Sequence, residues 1–161
     1  MYKFQKSGVL QTLMHQLKYG RQQEIGLYFG KELGKALFEQ KGFILPDLIV
    51  PVPLHWKKEK TRGYNQCQLI CEGLSNKLNI PVVSNILFRK VHSESQTKKK
   101  RFQRWENVEE IFGINEGSVL IGKHILLIDD IVTTGSTLEA CVQTLLQIEG
   151  TSISIATIAY A

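Results

Sequence analysis

The stretch from Ile125 to Thr137, ILLIDDIVTTGST, narrows what this chain can fold into more than any other. Ile125, Leu126, Leu127 and Ile128 form a continuous apolar run, the pattern of a strand covered on both faces in a parallel sheet. Asp129 and Asp130 follow where that strand would emerge. After Ile131 and Val132 come Thr133, Thr134, Gly135, Ser136 and Thr137, small or hydroxylated residues leading into the helical spacing of Leu138, Val142, Leu145 and Leu146. The stretch therefore reads as a buried strand, a tight loop and a helix start. Its acids fall at the carboxyl edge of the sheet, where ligands of open α/β folds bind.

The residue types define a chemistry. Gly135 allows backbone conformations closed to other residues, and the hydroxyls and amides around it can converge on an anion at a helix N-terminus. Adjacent carboxylates repel each other and, when partly buried, need hydroxyl donors or cations. Ribose hydroxyls with a divalent metal nearby supply both. The pattern thus describes a site for a phosphorylated sugar better than one for a nucleoside triphosphate, and neither a P-loop nor a dinucleotide G-x-G-x-x-G is present. Each feature alone also fits an ordinary βα turn with exposed acids and Ser136 or Thr134 as N-cap. In combination they resemble the phosphoribosyl pyrophosphate (PRPP) signature of the type I phosphoribosyltransferases, in which four apolar residues, two acids, two apolar residues and a T-T-G-[AST]-T-like loop recur in this order.

A length of 161 residues with 43% hydrophobic content suits one domain with a sizeable core. No apolar run is long enough for a membrane span, and the N-terminus lacks the hydrophobic core of a signal peptide, so the chain reads as cytoplasmic. Cys67, Cys71 and Cys141 are an odd set, unsuited to a disulfide framework. A net charge of +5 and a pI near 9.1 favour anionic ligands, whether a pyrophosphate or a nucleic-acid backbone. Much of that charge lies in Lys57 to Arg62 and in Lys98 to Arg104.

Val9, Leu10, Leu13, Met14 and Leu17 predict a first helix ending near Gly20, and Ile25 to Phe38 a second that runs to about Gly42. Asp47 to Pro53 predicts a buried strand with a Pro-rich exit, since prolines cannot donate ladder hydrogen bonds. A basic βα loop, LHWKKEKTRGYNQ, follows. A helix from about Tyr64 places Cys67, Ile70, Cys71, Leu74 and Leu78 on one face, so the cysteine pair reads as core rather than metal ligands. Pro81 to Val83 predicts a short strand that Ile86 to Val91 continues or pairs with. The polar, basic stretch after it predicts a mobile loop, with Phe102, Trp105, Val108, Ile111 and Phe112 docking the chain again. Thr151 to Ala161 predicts the last strand.

The segment Val50 to Pro53, followed by Arg62 to Gln66 and then by the PRPP signature, is similar to one subfamily, the ComF family of competence-associated proteins. Lys18 to Gly20 also resembles that family's early segment. ComF relatives usually begin with a four-cysteine zinc ribbon, which these 161 residues do not contain, so no zinc-dependent contact is carried over.

The resemblance implies a single phosphoribosyltransferase-like domain over 1–161. Its type I phosphoribosyltransferase fold is α/β: a central, mostly parallel sheet over 47–161 flanked by helices, with a small helical hood over 1–41 and a flexible basic loop. It also implies displacement of pyrophosphate from C1 of PRPP by an acceptor that residues 1–41 do not name. Asp129 and Asp130 would hold the ribose hydroxyls and stabilise a cationic ring, and Thr133, Thr134, Gly135, Ser136 and Thr137 would grip the 5-phosphate. Leu54, His55, Trp56, Lys57 and Arg62 would bind pyrophosphate. Mg²⁺ would be associated with Asp129 and Asp130, indirectly or through ribose hydroxyls. Gln96, Thr97, Arg101, Arg104 and Asn107 match the family's lid pattern, giving Arg101 and Arg104 a catalytic role. The implied partners are PRPP or a nucleotide-like small molecule, a competence helicase or single-stranded DNA, and a second copy in a homodimer. Two other classes fit the same residues: a PRPP- or nucleotide-sensing regulator without turnover, and a DNA-uptake accessory protein in which Phe102 and Trp105 stack on bases.

Overall fold

The computed structural model describes residues 2–3, 8–90 and 111–161. Four strands form a parallel sheet in the order β1-β6-β5-β2, where β1 is Tyr2–Lys3, β2 Leu48–Pro51, β5 His124–Val132 and β6 Ser152–Tyr160. A second, antiparallel pair joins β3 (Leu87–Arg89) to β4 (Phe112–Ile114). The helices are α1 (Val9–Tyr19), α2 (Glu24–Glu39), α3 (Trp56–Arg62), α4 (Gln66–Leu78) and α5 (Ser136–Leu145).

β5 is the spine. Ile125 to Ile128 are fully buried or nearly so, as their unbroken apolar run requires, and alternate residues serve two cores. Leu126 and Ile128 pack with Met14, Leu17, Phe29, Ile70 and Leu74 beneath α1, α2 and α4. Ile125 and Leu127 pack with Leu87, Phe112, Leu138, Cys141 and Leu145 beneath α5 and the antiparallel pair. The helices expected as a hood thus lie on one face of the sheet, against α4. Cys67, Cys71 and Cys141 are free and buried, consistent with the reading of a packed helix face.

Three expectations about local structure are corrected. The strand expected over Ile125 to Ile128 runs on to Val132, because β6 stays paired with it as far as Tyr160 while β2 stops at Pro51. The basic stretch expected as a loop contains α3: His55 caps its N-terminus by accepting from the Lys57 amide at 3.2 Å, and Gly63, at φ 84, ends it. Pro81 to Val83 forms only a parallel bridge, Val82 to Ile49, and β3 takes β4 as its partner instead. The residues of the expected lid, Gln96, Thr97, Lys98 to Arg104 and Asn107, lie outside the described residues, as do Phe102, Trp105 and Val108. Among the described residues no helix is long and apolar enough to cross a membrane.

Candidate functional site

The unequal lengths of β2 and β5 create the site. The last β2 pair is Pro51 with Ile128, so Asp129 and Asp130 stand on β5 where its neighbour has already left the sheet. Successive strand residues face opposite sides, and the two carboxylates accordingly meet different surroundings. Asp130, 6% exposed, has Oδ1 on the Ile131 amide at 2.8 Å and Oδ2 against Lys18 Nζ at 2.6 Å, with Gln66 Nε2 at 3.5 Å from the same oxygen. Asp129 uses one oxygen, which accepts from the Asp130 amide at 2.8 Å and from Cys67 Sγ at 3.5 Å. Its Oδ2 has no protein partner among the described residues.

The turn after β5 behaves as its composition requires. Gly135 sits at φ 81, a left-handed conformation that a side chain disfavours, and α5 starts directly behind it. Gly135, the N-cap residue of α5, has no side chain to cap with, and Thr134 Oγ1 accepts from the Ser136 amide at 3.5 Å. Thr134 Oγ1 lies 3.0 Å from Ser136 Oγ, and Thr133, Thr134, Ser136 and Thr137 are exposed. A cavity of about 40 Å³ is lined here by Asp129, Thr133, Thr134, Gly135 and Thr137, among others. A second, of about 140 Å³, is lined by Leu54, His55, Lys58, Arg89, Asp129 and Thr137, together with Val52, Pro53, Gln66 and Cys67. Asp129 and Thr137 border both.

The residues read from the loop after β2 separate into groups. Leu54 and His55 line the larger cavity. Trp56 does not; it stacks on His55 with Lys57 Nζ 5.6 Å above its ring. Arg62 lies beside the Tyr19 ring at 5.1 Å and donates to Gln66 Oε1 at 2.8 Å. Gln66, Cys67, Arg89 and Lys18 border or touch the site without having been singled out for it, and Lys58 was expected only as one of the cations of the basic loop. Lys58 is one helical position from Lys57, and only the orientation of α3 selects between them. Asn65 caps α4, accepting from the Cys67 amide at 3.0 Å and donating to Val52 O at 3.0 Å, and so locks that helix to the end of β2.

Burial pushes the Asp129 carboxyl up to about 6 from its ordinary 3.8, and the Asp130 charge adds to the shift. An acid raised in the folded state destabilises the fold when ionised. The cost is absent below about pH 4, grows as pH rises towards 6 and is complete above that. It is on the order of 3 kcal/mol. Asp129→Asn is therefore expected to melt about 8 °C higher than the parent at pH 8, and the two curves should converge at pH 4. A melting-temperature profile against pH measures this.

Cys67 Sγ and carboxylate oxygens of Asp129 and Asp130 lie within 4.8 Å of one another. Burial holds the Cys67 thiol well above its ordinary pKa, so it acts as a neutral donor to Asp129 rather than as a thiolate ligand. The free Asp129 oxygen suits a hard cation such as Mg²⁺ held jointly with water and ligand oxygens, not an all-protein cage. A larger cavity, about 530 Å³, lies between α1 and α2 over β6; Leu10, Leu13, Phe29 and Leu33 line it, and neither the acid pair nor the hydroxyl turn does.

An acid pair at the carboxyl end of a parallel strand, followed by a left-handed glycine and a helix start, is the arrangement the sequence resemblance implies. The phosphoribosyl transferase domain family matches residues 65–161. This chain belongs to that family. Within the phosphoribosyltransferase family it is a ComF-type member. It is 33% identical over 141 residues to the DNA utilization protein YhgH of Escherichia coli K12, covering 86% of this chain and 61% of that one. It is 38% identical over 98 residues to competence protein F of Haemophilus influenzae, covering 58% and 42%, and 35% identical over 111 residues to competence protein ComFC of Bacillus subtilis, covering 69% and 41%. The chain thus spans between two fifths and about three fifths of these relatives' lengths. The fold is shared with solved phosphoribosyltransferases. The B. subtilis glutamine PRPP amidotransferase, solved with ADP and GMP, superposes with a TM-score of 0.59 at 16% identity, over 89% of this chain and 30% of that one. The adenine phosphoribosyltransferase of Thermoanaerobacter pseudethanolicus gives 0.54 at 21% identity, over 88% and 71%.

Proposed function

We propose that this domain binds PRPP or a related 5-phosphoribosyl ligand with Mg²⁺ and transfers the phosphoribosyl group to a nitrogen acceptor, serving DNA uptake. The observation that carries the reading is Asp129, which borders both the small cavity at the hydroxyl turn and the larger one under the β2 exit and has one carboxylate oxygen without a partner among the described residues. One ligand can span the two. The 5-phosphate would lie on the amides of Gly135 to Thr137 at the positive end of α5. Asp129 would accept from the ribose hydroxyls and stabilise the ring as positive charge develops at C1. The bond from C1 to the pyrophosphate oxygen breaks with its electron pair leaving on pyrophosphate, and a bond from C1 to nitrogen forms. Lys58 and Arg89, in the larger cavity, would balance the departing charge. Mg²⁺, associated with Asp129 and the ligand's oxygens, would supply further positive charge to pyrophosphate. Arg101 and Arg104 enter this scheme through the resemblance alone. The names of the relatives, competence protein and DNA utilization protein, support the link to DNA uptake.

One observation favours a second reading, a regulator that binds the same ligand without turnover: Arg62 is engaged by Tyr19 and Gln66, outside the cavity it was expected to serve. Incubating protein, Mg²⁺ and PRPP with a panel of bases and amines, and measuring pyrophosphate release, separates the two. Transfer predicts release well above an Asp129→Ala, Asp130→Ala double variant; release equal to that variant, with PRPP still bound by the parent, contradicts transfer and leaves the regulator.

A further inference from the structure

The last turn of α1 reaches the site with three consecutive residues. The Leu17 carbonyl accepts from the Tyr64 hydroxyl, Lys18 Nζ pairs with Asp130, and the Tyr19 ring lies against Arg62. Lys18 is anchored at this depth by its own helix, in which Leu17 is fully buried in the core cluster beside α4. Its side chain is 23% exposed and that of Asp130 8%, so the pair is largely covered.

An account of the carboxylate oxygens shows what the ammonium does. Asp130 Oδ1 serves the Ile131 amide and Oδ2 serves Lys18 and Gln66, while Asp129 Oδ1 serves the Asp130 amide and Cys67. Among the described residues, Asp129 Oδ2 is the carboxylate oxygen of the pair to which no donor is assigned. Without Lys18, two adjacent, largely buried carboxylates would repel each other and draw in a divalent cation. With it, the pair carries one net negative charge. That suits the hydroxyls of an uncharged diol and weakens the local demand for a metal.

We propose that Lys18 is a positioning residue that stands in for a divalent cation at the ribose half of the site: paired with Asp130, it preassembles the acid pair so that a ribose 5-phosphate unit binds without metal. This rests on the phosphoribosyl reading of the site. It confines any Mg²⁺ requirement to the pyrophosphate half, which ribose 5-phosphate lacks.

Calorimetric titration with ribose 5-phosphate, in EDTA and in Mg²⁺, tests it, with melting curves recorded on every variant. The parent is expected to bind with affinities within about twofold in the two buffers. Lys18→Met should bind about tenfold or more weaker in EDTA and regain much of that loss in Mg²⁺, because a divalent ion can then occupy the vacated charge position; Lys18→Arg should recover binding over Lys18→Met by restoring the cation. Since Lys18→Met strands a buried carboxylate and can fail to fold, Asp130→Asn is compared with Asp130→Asn, Lys18→Met. With the carboxylate gone, removing the lysine should cost no further affinity.

A parent that binds ribose 5-phosphate only with Mg²⁺ overturns the assignment to Lys18, as does a folded Lys18→Met that binds as tightly as the parent in EDTA. So does an equal loss on removing Lys18 with or without the Asp130 carboxylate. A parent that binds neither ribose 5-phosphate nor PRPP in either buffer overturns the phosphoribosyl reading itself, and this inference with it.

Discussion

Gly73→Ala is expected to destabilise the domain by about 3 kcal/mol, even after the roughly 1 kcal/mol that alanine gains over glycine in a helix. A Cβ at Gly73 would lie 2.2 Å from the Leu27 carbonyl oxygen and 2.9 Å from Leu27 C and Cα. These are backbone atoms of α2, which no rotamer change can move aside. Gly30 faces back across the same contact, and its Cβ would meet the Ile70 carbonyl oxygen at 2.1 Å and Gly73 Cα at 2.9 Å. The two helices therefore touch main chain to main chain, and a methyl group on either must push them apart and open the core around Phe29, Ile70 and Leu74. Gly34→Ala is the milder comparison, because its Cβ would meet side-chain rather than backbone atoms, Lys77 Cβ and Cγ at 2.9 Å and Leu74 Cδ1 at 3.2 Å, although Lys77 Cβ moves only with its own backbone. Urea unfolding should place Gly34→Ala between the parent and Gly73→Ala, with Gly73→Ala the least stable of the three. A Gly73→Ala domain as stable as the parent would mean that the helices do not pack this closely.

Gly135→Val should have a large effect on ligand binding relative to its effect on the fold. Nothing lies within 4 Å of a Cβ at Gly135, so the substitution meets no steric obstacle beyond its own backbone, held at φ 81. A β-branched residue disfavours that conformation by about 1–2 kcal/mol or more. Relieving the strain rotates the amides that begin α5, the groups proposed to hold the 5-phosphate. PRPP affinity is expected to fall about 30-fold or more, or about 2 kcal/mol. Gly122→Val controls for strain alone. Gly122 is also left-handed, at φ 67 with nothing within 4 Å, but lies just before β5, at the opposite end of that strand from the acids. It should lose similar stability and keep PRPP affinity. Equal losses of affinity in the two variants would show that the turn holds no anion.

What the sequence disclosed and what it hid divide along sequence distance. The β5 strand, the turn and the start of α5 were legible because their cause is local: an apolar run, a glycine that takes a left-handed φ, and hydroxyls before a helical period. The face of α4 was legible for the same reason, since Cys67, Ile70, Cys71 and Leu74 recur at helical spacing and are buried. The short helix α3 was missed because four basic residues suggested a solvated loop, although Lys, Glu and Arg are good helix formers and His55 and Gly63 bound the segment. The partner of β3 was misjudged because pairing is settled across a long intervening segment, not by the nearest apolar run. Lys18 and Asp130 could not be joined from sequence: nothing local to either indicates that the end of α1 lies over the end of β5. The glycine contact was readable in part. Gly26, Gly30 and Gly34 recur every four residues, which lines them up as one ridge on α2, but their counterpart, Gly73, is identified only by packing.

The most direct measurement of the central claim, that Asp129 and the Gly135 turn together hold a phosphoribosyl ligand, is calorimetric titration of PRPP in Mg²⁺ into the parent and into Asp129→Ala. The account predicts a saturable one-site isotherm for the parent, with a dissociation constant in the range of about 1 µM to 1 mM usual for metabolite sites, and no binding by a folded Asp129→Ala. Absence of binding by the parent, or the same isotherm from both proteins, would contradict it.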